Sequence, residues 1–67
     1  MKNNIKIYRV IKGYSQEQLA VRVGVSRQTI NALEAAKYVP STVLALKLSR
    51  VLEKTTEELF ALEDTDM

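Results

Sequence analysis

Apolar side chains in this chain recur at helical rather than alternating spacing, and polar capping residues stand where each run begins. The pattern is densest between Ser15 and Leu33. Leu19, Ala20 and Val23 share one helical face, and Ile30 and Leu33 share another at i, i+3. Ser15, with Gln18 three residues later, predicts a capping box that opens the first of two short helices. Gly24 ends it, because glycine takes the left-handed conformation of a helix stop without strain. Ser26 caps the second helix, and the small Ala20 lets the two backbones approach closely where they cross.

The same signs predict three more helices. One runs from about Ile5 to Lys12, with Ile5 and Tyr8 facing inward, Gly13 ending it and Tyr14 filling the loop behind it. Ile7, Val10 and Ile11 are surplus to that inward face. They either pack under the termini, form part of a dimer patch, or are ordinary exposed aliphatics. Pro40-Ser41 opens a fourth helix whose core face is Leu44, Ala45, Leu48 and Leu52. Thr55 with Glu58 forms a second capping box, for a last helix carrying Leu59 and Phe60. Residues 1–4 read as a short polar arm and residues 61–67 as an acidic tail. Asp64 and Asp66 there fit a disordered end better than a metal site. No repeat, low-complexity tract or linker interrupts the chain, so an all-α fold in a single domain over residues 1–67 is expected.

Plotted at about 100° per residue, the second helix of the central pair separates its side chains. Ile30 and Leu33 point in; Gln28, Asn31 and Ala32 point away from them. Arg27 and Gln28 stand in the first turn, which leads when a helix enters a groove end-on. Arginine and glutamine have the donor and acceptor geometry for guanine and adenine edges respectively.

The run SQEQLAVRVGVSRQTINALE (Ser15 to Glu34), with Ala20, Gly24 and Ile30 spaced among apolar Leu19, Val23, Val25 and Leu33, resembles the helix-turn-helix of the phage Cro and repressor group, the XRE-type regulators. The resemblance extends from Ile5 to Phe60. It implies a compact five-helix lambda-repressor-like domain, with the motif at 16–34 and a recognition helix at about 27–35. It leaves open a short β-ribbon between the N-terminal arm and the residues after the last helix. It implies that Arg9 pairs with Glu34 as an architectural ion pair. Glu34 lies only about 40° from Ile30 on the helical wheel, and a half-buried carboxylate there needs a partner. It further implies that Arg27, Gln28 and Asn31 read base edges in the major groove. Gln16, Arg22, Ser26, Thr29 and Lys37 would hold phosphates, with pure N-capping an equal reading for Ser26. Where Ala35-Ala36 stand, members of the group commonly have Asn-Gly, so either the helix runs further or the turn is strained. Glu53-Lys54 likewise replaces a Gly-Val, removing a glycine stop and an apolar plug.

Composition narrows the chemistry. There is no cysteine and no histidine, which removes disulfides, thiolate metal sites and the commonest general base. No glycine-rich phosphate loop or convergent acid pair is present, so an enzyme is not expected, nor a metal, cofactor or small-molecule ligand. Residues 1–54 hold all ten lysines and arginines against three acids, whereas residues 55–67 hold five acids and no base. A basic body with an acidic tail suits a polyanionic partner, and equally a solvated mixed surface. Without an apolar run long enough to span a membrane or a secretory signal, a soluble cytoplasmic protein is expected.

The resemblance therefore implies a sequence-specific, double-stranded-DNA-binding repressor. A lone reader of 67 residues touches few base pairs, so a homodimer on an inverted repeat is expected, its interface around Leu59, Phe60 and Leu62, with Val43 and Leu46 beside them. The alternative is an antitoxin or restriction-modification controller whose DNA binding is autoregulatory.

Overall fold

The computed structural model describes residues Met1–Met67 and is mostly helical. Its elements in order are β1 (Lys2–Asn3), α1 (Ile5–Ile11), α2 (Gln16–Val23), α3 (Arg27–Glu34), α4 (Thr42–Leu52), α5 (Thr56–Leu59) and β2 (Phe60–Ala61), with a single 3₁₀ turn at Asp64–Asp66. The helices are too short to be stable alone in water, and all five contribute to one core. Ile5, Leu19, Ala20, Val23, Ile30, Leu33, Leu44, Leu48, Leu52 and Leu59 are its buried members. Tyr8, Tyr14, Val25, Val51 and Phe60 pack around them, half-buried. Ala45, expected on the core face of α4, is only half-buried and lines a surface groove.

Local hydrogen bonding explains where the helices begin. The hydroxyls of Ser15, Ser26, Ser41 and Thr55 each accept from the backbone N–H three residues on, at 3.0, 3.1, 3.2 and 3.1 Å. Ser15–Gln18 and Thr55–Glu58 form complete reciprocal boxes. The amide and hydroxyl of Thr55 hold the Glu58 carboxyl below its usual range.

The helix ends follow a second rule. Gly13, Gly24, Ala36 and Glu53 all adopt positive φ, at 79°, 75°, 57° and 56°. After α3, Ala36 N–H donates to Leu33 O and Lys37 N–H to Ala32 O, both at 3.0 Å, which is a Schellman closure. Of the two outcomes open for Ala35-Ala36, the turn is therefore the strained one: α3 stops at Glu34 and Ala36 bears the left-handed conformation. Glu53 does the same for α4, and its carboxylate pairs with Lys12, which pulls its pKa down. Lys54, in place of an apolar plug, lays its ammonium 5.0 Å from the Tyr8 ring centroid.

The two chain ends meet. β1 and β2 pair antiparallel in the register Lys2↔Ala61 and Asn3↔Phe60, so the terminal ribbon left open by the resemblance is present. Asn4 N–H donates to Leu59 O at 2.8 Å just beyond it. Phe60 accordingly belongs to a strand rather than to the last helix. The acidic tail is also more ordered than expected. Met1's α-ammonium lies 3.1 Å from Glu63 Oε1 and 3.2 Å from Asp66 Oδ2, and these contacts hold the 3₁₀ turn against β1.

One polar cluster sits in the core wall. Arg9, 8% exposed, donates from Nε to Glu34 Oε2 at 2.6 Å and from Nη2 to Glu34 Oε1 at 3.2 Å. Its Nη1 donates to Tyr14 O at 2.8 Å, and Gln16 Nε2 donates to Glu34 Oε1 at 3.1 Å. Every buried side-chain polar atom finds a partner.

Two stability changes follow. Glu34→Ala strands the Arg9 guanidinium in the core wall and should cost about 3–5 kcal/mol in urea denaturation. Ala36→Gly relieves the left-handed alanine and should raise stability by about 0.5–1 kcal/mol in the same measurement. A neutral result for either variant would remove the role given to that residue.

Candidate nucleic-acid interface

α3 is a rod seated from one side. Ile30 and Leu33 are fully buried, Glu34 is held by Arg9, and Asn3 Nδ2 donates to Leu33 O at 2.8 Å from β1. Its inner face, its last residue and its C-terminal carbonyls are thus fixed by three different elements. α2 packs across it, and the left-handed Gly24 supplies the tight turn between them.

The opposite face is open. Arg27, Gln28 and Asn31 are all exposed and together line one shallow depression. None of the three makes a side-chain ion pair or a side-chain hydrogen bond within the chain, so their donors and acceptors are free for an external partner. At 1.5 Å per residue the eight residues of α3 make a rod about 12 Å long, and its cross-section, about 10 Å with side chains, fits a duplex major groove about 12 Å wide.

The residues expected at phosphates are less uniform. Lys37 is exposed beyond the end of α3 and forms no ion pair. Arg22 lies over Tyr14, its guanidinium carbon 4.2 Å from the ring centroid, and donates from Nη1 to Gln18 O at 3.3 Å. Gln16 already commits one N–H to Glu34, which leaves one for another acceptor. The hydroxyls of Ser26 and Thr29 lie 2.9 Å apart while Ser26 Oγ accepts the Thr29 amide. One hydroxyl proton is taken by the other oxygen, so the pair keeps a single free donor.

Leu59 requires correction. Expected at a dimer surface, it is 0% exposed because the last turn of α5 points it into the core, and it offers no area to a second molecule. Phe60 is half-buried, whereas Leu62 and Leu46 are exposed, and these three line one apolar groove with Ala45 and Pro40. Val43, 63% exposed, lies outside the lining of that groove. Ile7, Val10 and Ile11, whose place the sequence leaves open, are all exposed on the outer side of α1.

Two residues near α3 are not singled out by motif spacing. Asn3, the anchor on Leu33 O, carries no sequence signal because its partner is a backbone atom thirty residues away. Lys6 lines a second depression with Gln16, Asn31, Glu34 and Ala35. A signal for Lys6 did exist: on the wheel of α1 it lies about 60° from Arg9, hence on the side that faces Glu34.

No helix is long and apolar enough to cross a membrane, and no group of acids is arranged to hold a metal ion. A sequence model described as helix-turn-helix matches residues 5–59. Among relatives, the HTH-type transcriptional regulator YgzD of Bacillus subtilis is 48% identical over 64 residues, covering 96% of this chain and 97% of its own length. The N-terminal DNA-binding domain of SinR from Bacillus subtilis superposes with a TM-score of 0.77 at 33% identity, over 90% of this chain and 88% of that one. The restriction-modification controller protein C.AhdI from Aeromonas hydrophila gives 0.76 at 36% identity, over 84% and 85%. With the fold, the seated rod and these likenesses in agreement, the chain belongs to the XRE-type helix-turn-helix family of DNA-binding transcriptional regulators.

Proposed function

We propose that this regulator is a repressor that binds an inverted-repeat operator as a homodimer. The observation that carries the reading is the exposed, unengaged trio of Arg27, Gln28 and Asn31 on a helix whose other face is buried. Arg27 and Gln28 lead into the major groove and read guanine and adenine edges; Asn31 reads one step further along. Lys37, Arg22, the remaining Gln16 N–H and the free Ser26–Thr29 hydroxyl donor hold the phosphates that set the register. The first-turn amides of α2, at the positive end of its dipole, add to that grip. Repression needs no further machinery, since occupancy of a promoter is enough to block polymerase.

Dimerisation is supported by size and surface. The longest extent of the molecule is 32 Å, about one turn of duplex, so one copy reads one half-site. The groove lined by Leu46, Phe60 and Leu62 is apolar and lies on elements other than α2 and α3, so it suits a two-fold contact that leaves the reading face free. The likeness to C.AhdI favours a second reading, a restriction-modification controller. An operator upstream of its own gene, beside a methyltransferase or nuclease gene, would select it; an operator beside unrelated genes would exclude it.

Selection of bound fragments from random DNA at stated salt tests the proposal, with an inverted repeat as the expected product. On that site Arg27→Ala and Gln28→Ala should each lose about 1–3 kcal/mol and relax base preference, while Lys37→Ala weakens selected and random DNA alike. Equal weakening of both DNAs by all three variants would overturn the division of roles. Leu62→Glu should weaken self-association by about 2 kcal/mol, roughly thirtyfold. Sedimentation equilibrium that finds the unaltered chain monomeric at micromolar concentration, with or without DNA, would refute the dimer.

A further inference from the structure

We infer that Lys6 is a further nucleic-acid contact, its ammonium taking a backbone phosphate on the α1 side of the reading helix. The inference rests on the DNA-binding reading above and extends the contact surface to a helix outside the helix-turn-helix pair.

Two shallow depressions meet at Asn31. One is lined by Arg27, Gln28 and Asn31, the other by Lys6, Gln16, Asn31, Glu34 and Ala35, so the outer face of α3 continues without a break onto α1. The three cations of α1 and its cap are not equivalent. Arg9 is buried on Glu34 and Lys12 is paired with Glu53, whereas Lys6 is exposed and in no ion pair. Glu34, the only acid lining that depression, is already compensated by Arg9 and accepts from Gln16, so it does not cancel Lys6. The rim therefore carries one uncompensated positive charge.

Geometry and chemistry both assign that charge to a phosphate. A helix about 10 Å across with its side chains nearly fills a major groove about 12 Å wide, so residues flanking it meet the sugar-phosphate walls rather than base edges. Lysine carries a compact point charge on a flexible stem, which suits a phosphate oxygen and lacks the planar fork that reads a guanine. Lys37 lies past the C-terminal end of α3 and Lys6 on its flank, so the two would grip different phosphates.

The test is salt-dependent binding of the full chain to its selected duplex and to an unrelated one. For Lys6→Gln the slope of log affinity against log salt should fall by about 0.9, so that the unaltered chain loses about 3.5-fold more affinity than the variant between roughly 50 and 200 mM salt. The weakening should be the same factor on both duplexes. Lys6→Arg should keep the slope, and so should Lys12→Gln, which removes the same charge from the far flank of the same helix segment. An unchanged slope for Lys6→Gln overturns the inference, as does weakening confined to the selected duplex, which would make Lys6 a base reader. If the unaltered chain bound no duplex at all, the DNA-binding reading would fall with it. Normal binding by the unaltered chain beside an indifferent Lys6→Gln sinks the Lys6 contact alone.

Discussion

A guanidinium removed from water needs an opposite charge held against it, and the Arg9–Glu34 pair meets that need where α1, α2 and α3 come together. Glu34 is the last residue of α3, Arg9 lies in α1, and Gln16 opens α2. A bidentate contact tolerates little rotation, so the pair fixes how far α3 is turned about its axis as well as where it ends. That rotation decides which side chains face out. With Glu34 held at 2.6 Å and Ile30 and Leu33 buried, Arg27, Gln28 and Asn31 have nowhere to point but solvent. The ion pair is thus a positioning device whose value lies in specifying an orientation, since the net stability of a buried pair over an apolar one is small.

The remaining constraints act on helix length. Segments of four to eleven residues cannot hold themselves helical in water; α2 to α5 each start at a hydroxyl cap, α1 starts where Ile5 N–H donates to Asn3 Oδ1 at 3.2 Å, and α1 to α4 each end at a left-handed residue. The bracketing matters most for α2 and α3, because a frayed end there would move the reading face by more than a hydrogen bond can follow. Ser15 and Ser26 start them; Gly24 and Ala36 close them. The ribbon of β1 and β2 serves the same rod indirectly, since it carries Asn3 to the carbonyl of Leu33.

What was legible in the sequence is what is local. A serine bonds an amide three residues on, and a glycine at a helix end takes a left-handed turn, so caps and two of the four closures could be read directly. Ala36 and Glu53 adopt the same turn without the residue that favours it, because the chain must reverse there to bring α4 and α5 onto the core. That demand is tertiary and leaves no local mark. The order of residues 61–67 was missed for a like reason: its partners are at the other end of the chain, and charge composition alone suggested a solvated tail. Leu59 was grouped with Phe60 and Leu62 at a dimer surface because a helix of only four residues gives too little periodicity to decide which neighbour faces in. For the reading face, a wheel drawn on α3 was enough to separate inside from outside. A wheel drawn on α3 alone gives no account of what a neighbouring helix adds at the rim, and so it passed over Lys6.

The separation of faces on α3 has a consequence for how such a domain can change. Residues that hold the rod are Ile30, Leu33 and Glu34, while those offered to a partner make no bond to the chain that carries them. Substitutions at Arg27, Gln28 and Asn31 therefore alter what is presented without loosening what presents it, because no core contact or buried hydrogen bond is lost. Gln16 is an exception, since its amide serves Glu34 on one side and faces an open depression on the other. A change there reaches both the seat of the rod and its surface, so stability and recognition are coupled at Gln16, as they are at Ser26, whose hydroxyl caps α3.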